Sequence, residues 1–233
     1  MSVLSHSITA MALSATLFVG GHFLLSHGLR RPLVAALGEG GFRGLYTVVA
    51  FIGLGWMIWA HKTAPYVALW GNPLWARHLL VLIMLVAVFF FMLGMTTPSP
   101  GVVGAETRPM SYDGGLGIHA IVRHPGLWGF ALWGVGHLIA NGDVATVILA
   151  GGIALLAFGG MLGIDARKRR AFPEIYGRFL AHTSNIPFAA LAAGKVRLDW
   201  SKIGLWRLAL ALAVYLVLLF THRWFIGLSA LPV

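Results

Sequence analysis

The sequence predicts an all-α membrane protein, a polytopic bundle of about six transmembrane helices with both termini on the periplasmic side. Hydrophobic residues make up 58% of the 233 residues and charged residues only 10%, whereas soluble domains contain roughly 25% charged residues. Several apolar stretches also reach the length of about 20 residues that crosses a bilayer as a helix. The basic residues collect in alternate connections, which is the positive-inside pattern of membrane proteins.

The apolar stretches define the order of the predicted spans. We place the spans at about residues 6–28, 44–61, 78–97, 125–141, 144–164 and 205–226. Asn141, Gly142 and Asp143 form a tight turn that predicts a helical hairpin between the fourth and fifth spans. The first span is too long for the apolar region of a cleaved signal peptide and continues into Arg30 and Arg31, so we interpret it as a retained helix.

The distribution of Lys and Arg predicts the orientation. Fourteen of the 17 basic residues fall on one side of the predicted membrane, and the other side has Lys62, Arg77 and Arg223. Because basic residues concentrate in cytoplasmic loops, both termini are expected to be periplasmic. The net charge of +10 is therefore explained by topology. No nucleic-acid partner is predicted, and the lipid bilayer is the expected surrounding.

The cytoplasmic connection at residues 165–204 contains the basic run Arg167–Arg170. Its apolar positions have the spacing of an amphipathic helix lying on the membrane interface, namely Phe172, Ile175, Tyr176, Phe179 and Leu180. Neither an internal repeat nor a low-complexity tail interrupts the chain, so residues 1–233 are interpreted as one membrane domain. The absence of Cys excludes disulfides, iron–sulfur clusters and covalently attached c-type haem.

Ten histidines are many for so apolar a chain, and an ionisable group inside a span suggests function because it is costly there. His22 lies in the first span near its cytoplasmic end, and His124 begins the fourth span from the same face. Two imidazoles from different helices at similar depth are what a bis-histidine haem requires. We therefore predict His22 and His124 as iron ligands. A hydrogen-bonded packing role is the alternative for His22, as it is for His137.

Residues beside these two histidines fit the same interpretation. Arg30 and Arg123 lie at the cytoplasmic side, where a guanidinium can pair with a haem propionate. Small residues next to the histidines would let a flat macrocycle approach the backbone, namely Gly20, Gly21, Gly126 and Gly129. Arg123 and Asp165 are also expected at matching depth at the open end of the helical hairpin. They are predicted to pair either as a structural salt bridge or in contact with a propionate or substrate.

Other histidines remain spare candidates for the iron. His27 and His119 lie one turn nearer the water than the predicted ligands. His137 follows His124 by 13 residues, about 20 Å along a helix at 1.5 Å per residue, so the two cannot bind the same iron. A haem bound deeper in the membrane would use His137, with His6 or His61 as the second ligand.

Five segments together resemble the NnrU family of bacterial membrane proteins. They lie at residues 21–30, 37–46, 117–125, 132–143 and 183–188, and include Gly-Ile-His-Ala-Ile-Val-Arg-His-Pro at 117–125. The resemblance implies a multi-pass protein of the bacterial cytoplasmic (inner) membrane, associated with nitrogen-oxide metabolism in denitrifiers. The family also includes the 15-cis-zeta-carotene isomerases, which are haem b proteins with histidine axial ligands. By that likeness the chain is expected to bind haem b at His22 and His124 and to act on a lipophilic polyene or a nitrogen-oxide species.

Two other classes stay open. Arg-His-Pro at the start of a helix also resembles the isoprenylcysteine and phospholipid methyltransferases, in which this motif and later acidic residues hold S-adenosylmethionine. Their tail is weakly matched here by Asp165, Arg167 and Glu174, followed by Tyr176-Gly177-Arg178-Phe179, although the paired glutamates are missing. A non-catalytic haem sensor or assembly factor is the second alternative. Since the sequence shows no acid–base or nucleophile–base pair, any catalysis is expected from the iron.

Overall fold

The computed structural model describes residues 7–102, 110–111 and 115–231. Within these ranges the chain forms ten α-helices and one π-helical turn: α1 (Ile8–Phe23), the π-helical turn (Leu24–Gly28), α2 (Arg30–Thr63), α3 (Leu74–Thr96), α4 (Ile118–Ile121), α5 (Pro125–Ala140), α6 (Val144–Ala171), α7 (Pro173–His182), α8 (Ala189–Ala192), α9 (Trp200–Ile203) and α10 (Leu205–Ile226). The all-α prediction is confirmed. His6, the spare haem-ligand candidate, lies outside the described residues.

Five helices in the described part of the chain are long and apolar enough to cross a membrane. They are Ile8–Gly28, Arg30–Thr63, Leu74–Thr96, Val144–Ala171 and Leu205–Ile226. The fourth predicted span forms α5, which has 16 residues and is therefore slightly shorter than a typical span of roughly 17–25 residues. The chain is thus a multi-pass membrane protein, and the periplasmic position of its termini stays a prediction.

Helix α2 is longer than the sequence indicated. The predicted span began at residue 44, whereas the helix begins at Arg30 and runs for 34 residues with one interruption at Gly38, where φ is 70° and ψ is 170°. Glycine adopts a positive φ without a steric penalty, so the helix is interrupted there rather than ended. Arg30 and Arg43 both contact the Glu39 carboxylate, at 2.6 and 3.6 Å. The pair of Arg30 with Glu39 joins the two sides of the interruption, whereas the pair of Arg43 with Glu39 lies on its C-terminal side.

The chain packs as two compact units. The first comprises the residues up to Leu80 together with Trp133–Leu156. Its core is made of α1, α2 and the start of α6, and its buried members are Met11, Ala15, Phe18, Val19, Met57, Ala60 and Ala145. The predicted hairpin turn lies in this unit, because α5 ends at Ala140 and α6 begins at Val144. The Asp143 carboxylate accepts a hydrogen bond from the Thr146 amide at 2.9 Å, which caps the start of α6.

The second unit comprises Val81–Leu132 and Ala157–Val233. Within it α3 and α5 approach closely through glycines. A Cβ atom added at Gly94 would overlap the backbone of Gly126, and one added at Gly129 would lie 2.7 Å from the side chain of Phe91. Small residues at such contacts let membrane helices pack backbone to backbone. Gly126 and Gly129 therefore serve helix packing, not the approach of a macrocycle that the sequence suggested.

The amphipathic pattern after the basic run does form a helix, α7. Its apolar residues do not lie free on the interface, because Tyr176 and Phe179 are 1% and 0% exposed. The Phe179 ring contacts the ring of His119 edge-on, with 5.6 Å between ring centroids. Helix α7 thus packs its apolar face against the protein and positions Tyr176 inside the second unit.

Candidate functional site

The Arg-His-Pro motif lies in the linker between α4 and α5. Val122 is extended, with φ of −153° and ψ of 143°, and ends the short helix α4. The residue before a proline avoids helical conformation, and α5 begins at Pro125 itself. The backbone amide of Arg123 donates to the carbonyl of Ser184 at 2.7 Å, which fixes the linker beside the segment that follows α7. Arg123 and His124 are thereby placed at the start of α5.

A partly buried carboxylate on α6, that of Asp165, accepts hydrogen bonds from several polar side chains of the second unit. The Oδ1 atom of Asp165 accepts hydrogen bonds from His124 Nε2 at 2.8 Å and from the Tyr176 hydroxyl at 2.6 Å. Its Oδ2 atom accepts from Arg123 Nη1 at 2.5 Å and from Asn185 Nδ2 at 2.7 Å. We call these five residues the Asp165 cluster. The predicted pairing of Arg123 with Asp165 is confirmed, whereas the parts of His124, Tyr176 and Asn185 in it were not foreseen.

Arg123 has further partners within the same unit. Its Nε donates to Thr183 Oγ1 at 2.9 Å, and its Nη2 donates to the carbonyl of Thr183 at 2.7 Å and to that of Leu180 at 3.4 Å. The side chains of Arg123 and Asp165 are 11% and 16% exposed. Buried charges persist where they are paired and hydrogen-bonded. The Nε, Nη1 and Nη2 atoms of Arg123 all donate to protein acceptors, so few of its N–H groups remain for a haem propionate.

The ring of His124 is enclosed on both of its edges. Its side chain is 5% exposed, and Nε2 is used by Asp165. Its other edge faces Gly101, where an added Cβ atom would lie 3.5 Å from both Nδ1 and Cε1. The Nζ atom of Lys168 donates to the carbonyls of Pro100 and Val102 at 2.7 and 2.9 Å and holds this loop in place. So placed, His124 does not fit the role of an axial haem ligand, because neither ring nitrogen faces open space.

His22, in the first unit, does fit that role. Its Nδ1 lies 2.6 Å from the carbonyl of Phe18, so Nδ1 carries the proton and Nε2 is left as the nitrogen for a metal. The ring is held edge-on by Phe18 and by Tyr46, with centroid distances of 4.4 and 5.2 Å. Gly20 and Gly21 border open space. The pairing of His22 with His124, which belong to different units, stays a prediction.

The spare histidines lie in different surroundings. His27 belongs to the π-helical turn and is exposed, with Nδ1 3.1 Å from the carbonyl of Phe23. His137 has its Nδ1 2.8 Å from the carbonyl of Trp133, and the two rings lie 4.3 Å apart. No group of three or more His, Asp or Glu residues in the described ranges is arranged to hold a metal ion.

His119 is the most buried of these candidates, at 2% exposure. Its Nδ1 lies 3.2 Å from the carbonyl of Arg123, while Nε2 is buried without a hydrogen-bond partner among the described residues. Burial lowers the pKa of His119 from 6.5 to about 4, so the ring is neutral near pH 7.

Arg30, the other predicted propionate partner, donates to Glu39 and lies over the ring of Phe42, with 5.2 Å from Cζ to the ring centroid.

These features define a multi-pass helical membrane protein with a partly open histidine on its first helix and a closed polar cluster beside Arg-His-Pro. The chain belongs to the NnrU family, since the family model described as "NnrU protein" matches residues 10–230. It is also similar to the chloroplastic 15-cis-zeta-carotene isomerase of Arabidopsis thaliana, with 29% identity over 175 residues. This match covers 68% of the chain and 44% of the relative, so the chain spans less than half of that protein. No solved structure matches the chain significantly.

Proposed function

We propose that this protein binds haem b through His22 and isomerises a double bond of a lipophilic polyene within the membrane. The observation that carries the proposal is the similarity to 15-cis-zeta-carotene isomerase over 68% of the chain. The matched relative acts on zeta-carotene by its name, and a long apolar substrate of that kind is consistent with a chain that has five helices long and apolar enough to cross a membrane among its described residues.

The surroundings of His22 support the haem part of the proposal. A metal-binding histidine commonly donates its other ring N–H to a carbonyl, which fixes the tautomer and the ring orientation. The contact from Nδ1 to Phe18 has this arrangement. Tyr46 braces the ring from α2, and Ser26 donates to the Tyr46 hydroxyl at 3.4 Å. Once bound, haem would supply a redox-active iron able to interact with the π-electrons of a polyene.

The chain near His22 offers two further features to a cofactor. The π-helical turn Leu24–Gly28 begins two residues after His22, and π-helical turns are frequently found at functional sites. Arg30 lies just beyond this turn, and its Nη2 donates a hydrogen bond to Glu39 Oε1 at 2.6 Å. Its remaining donors would hold a propionate, which is the role proposed for this residue.

The proposal is tested by purifying the protein from haem-replete cells and recording its visible spectrum and pyridine haemochrome. We expect a Soret band of haem b, and conversion of cis-zeta-carotene to an isomer of the same mass in detergent or liposomes under reducing conditions. The apoprotein prepared without haem is the matched control. A colourless protein that does not take up added hemin would contradict the haem, and a coloured but inactive protein would contradict the isomerase.

A haem protein without isomerase activity is the second candidate, as a nitrogen-oxide-binding protein, a sensor or an assembly factor. The association with nitrogen-oxide metabolism that the resemblance to the NnrU family implies is the feature that favours it. Nitric oxide added to the reduced protein would shift the Soret band whether or not a polyene is converted. The two candidates are therefore separated by product analysis rather than by the spectrum.

The methyltransferase alternative is not favoured by the Asp165 cluster. Arg123 and Asp165, the charged groups that would hold S-adenosylmethionine, bond to each other and to side chains of the same unit. A cofactor would have to break several of these hydrogen bonds before binding. Calorimetric titration with S-adenosylmethionine is expected to show no binding.

A further inference from the structure

Asp165 is a carboxylate on a helix that is otherwise apolar along most of its length. From Val144 to Ile164 the helix has no charged residue, and Asp165 is the first one it reaches. Transfer of an ionised carboxylate to such surroundings costs free energy unless hydrogen bonds replace the lost water. The four donors of the Asp165 cluster supply that replacement, two on each carboxylate oxygen.

The donors come from three separate parts of the chain. Arg123 and His124 belong to the linker before α5, Tyr176 to α7, and Asn185 to the segment after α7. The carboxylate therefore joins these segments to α6 within the second unit. Loss of one donor would leave part of the buried charge without a partner, which is more destabilising than replacing both partners together.

His124 contributes to this arrangement with its Nε2 atom, the nitrogen that reaches Asp165 at 2.8 Å. Its Nδ1 edge lies against Gly101 in the loop that Lys168 holds through two backbone carbonyls. A carboxylate accepts hydrogen bonds and does not donate them, so Nε2 must carry a proton. A protonated nitrogen has no lone pair to give to iron.

We infer that His124 is a positioning residue for Asp165 and not a ligand of a haem iron. It acts through the carboxylate, which holds the Arg-His-Pro linker and α7 together, and this role stands whether or not the proposed haem is bound. In the proposed function, the iron is then held by His22 and by residues other than His124.

Two substitutions of nearly equal size separate the roles of the ring nitrogens. H124Q places an amide N–H close to the position of Nε2, so it is expected to retain most of the wild-type Tm and an unchanged Soret band. H124N places its amide near Nδ1, too short to reach Asp165, and is expected to lower the Tm by several degrees. In a D165N background, which removes the charged acceptor, the difference between H124Q and H124N is expected to disappear.

The result that would overturn the inference is a ligand signature: H124Q keeps the wild-type Tm but converts a six-coordinate low-spin spectrum to a five-coordinate high-spin one. Equal Tm values for H124Q and H124N would also overturn it. A colourless wild-type protein would end the haem proposal alone, because the Tm comparison decides the role of His124 without haem.

A measurement on the unsubstituted histidine covers the case in which the His124 variants do not fold. In protein labelled with 15N-histidine, we expect an Nε2–H signal that shifts in D165N, since that variant changes the acceptor and leaves His124 in place. The conservative control is E174Q, which alters an exposed carboxylate on α7 and is expected to leave the signal unmoved. Absence of any Nε2–H signal sensitive to D165N would overturn the inference.

Discussion

The Nε2 atom of His124 lies 2.8 Å from Oδ1 of Asp165, although 41 residues separate them in the sequence. Because the same carboxylate also accepts from Arg123, both polar residues of the Arg-His-Pro motif converge on one acceptor. The histidine of this motif suggested metal binding from the sequence, but within the second unit it stabilises the partly buried charge of Asp165.

Asp165→Asn is expected to destabilise the protein. The amide turns one acceptor oxygen into a donor that faces the donors of Arg123 or His124, so the free energy of unfolding should fall by roughly 3 kcal/mol, the scale of breaking a buried ion pair. Thermal unfolding in detergent measures the effect. Glu174→Gln, on an exposed carboxylate, is the control and should cost less than about 1 kcal/mol. A loss no larger than that of the control would contradict the role of the cluster.

His22→Ala is expected to empty the haem site or to convert a low-spin spectrum to a high-spin one, because a ligating imidazole supplies the bond to the iron directly. His78→Ala is the matched control. His78 also lies in the first unit and has its Nδ1 2.8 Å from the carbonyl of Leu74, yet it is not proposed to bind haem. Absorption spectra of the two variants decide the prediction, which fails if both variants keep the wild-type spectrum.

Gly129→Ala is expected to weaken the contact between α3 and α5. The added Cβ atom would lie 2.7 Å from the Phe91 side chain and 2.8 Å from the carbonyl of Ala87, and overpacking of this kind costs about 1–3 kcal/mol. Gly151→Ala, on α6, meets nothing within 4 Å and should be neutral or slightly stabilising. Thermal unfolding of both variants tests the comparison, and an equal Tm would contradict the close packing.

The stability of the second unit is expected to fall as the pH is lowered from about 6.5 to 4. His119 has its pKa lowered to about 4 by burial, whereas the unfolded chain binds that proton near pH 6.5. The unfolded state is therefore the more protonated one in this window, so acid favours unfolding. Tm values measured across the window should show a smaller decline in His119→Gln than in the wild type. Parallel curves for the two proteins would contradict the assignment of this pH dependence to His119.

The topology predicts that alkaline phosphatase fused after Val233 is active, because the fusion would lie in the periplasm. The physical reason is the concentration of Lys and Arg on the opposite side of the spans. A cytoplasmic reporter at the same position is the matched control and should be inactive. The reverse pair of results would show that the C-terminus is cytoplasmic and would contradict the predicted topology.

Composition and the length of apolar stretches predicted the membrane class and most helix positions. Helix α10 has the predicted bounds. Helix α3 covers nearly all of the third predicted span, and α6 covers the whole of the fifth. These positions were predictable because a helix that crosses a bilayer needs a minimum apolar length, which the sequence shows directly. The extension of α2 to Arg30 was missed because polar and glycine-rich residues usually mark a loop. Here the non-helical conformation is confined to Gly38, and Glu39 pairs with Arg30 and Arg43 on either side of it in the sequence.

Tertiary structure alone decided which polar groups meet. Arg123 and Asp165 were predicted to pair from their matching depth in a hairpin, but Tyr176 and Asn185 come from segments whose docking no periodicity specifies. In a membrane protein an apolar helix face suits lipid and protein equally well, so the sequence could not show that α7 buries Tyr176 or that Gly129 packs against α3. The sequence suggested His124 as an iron ligand because it could not show which polar group the ring meets. In the folded chain, His124 Nε2 donates to the carboxylate of Asp165.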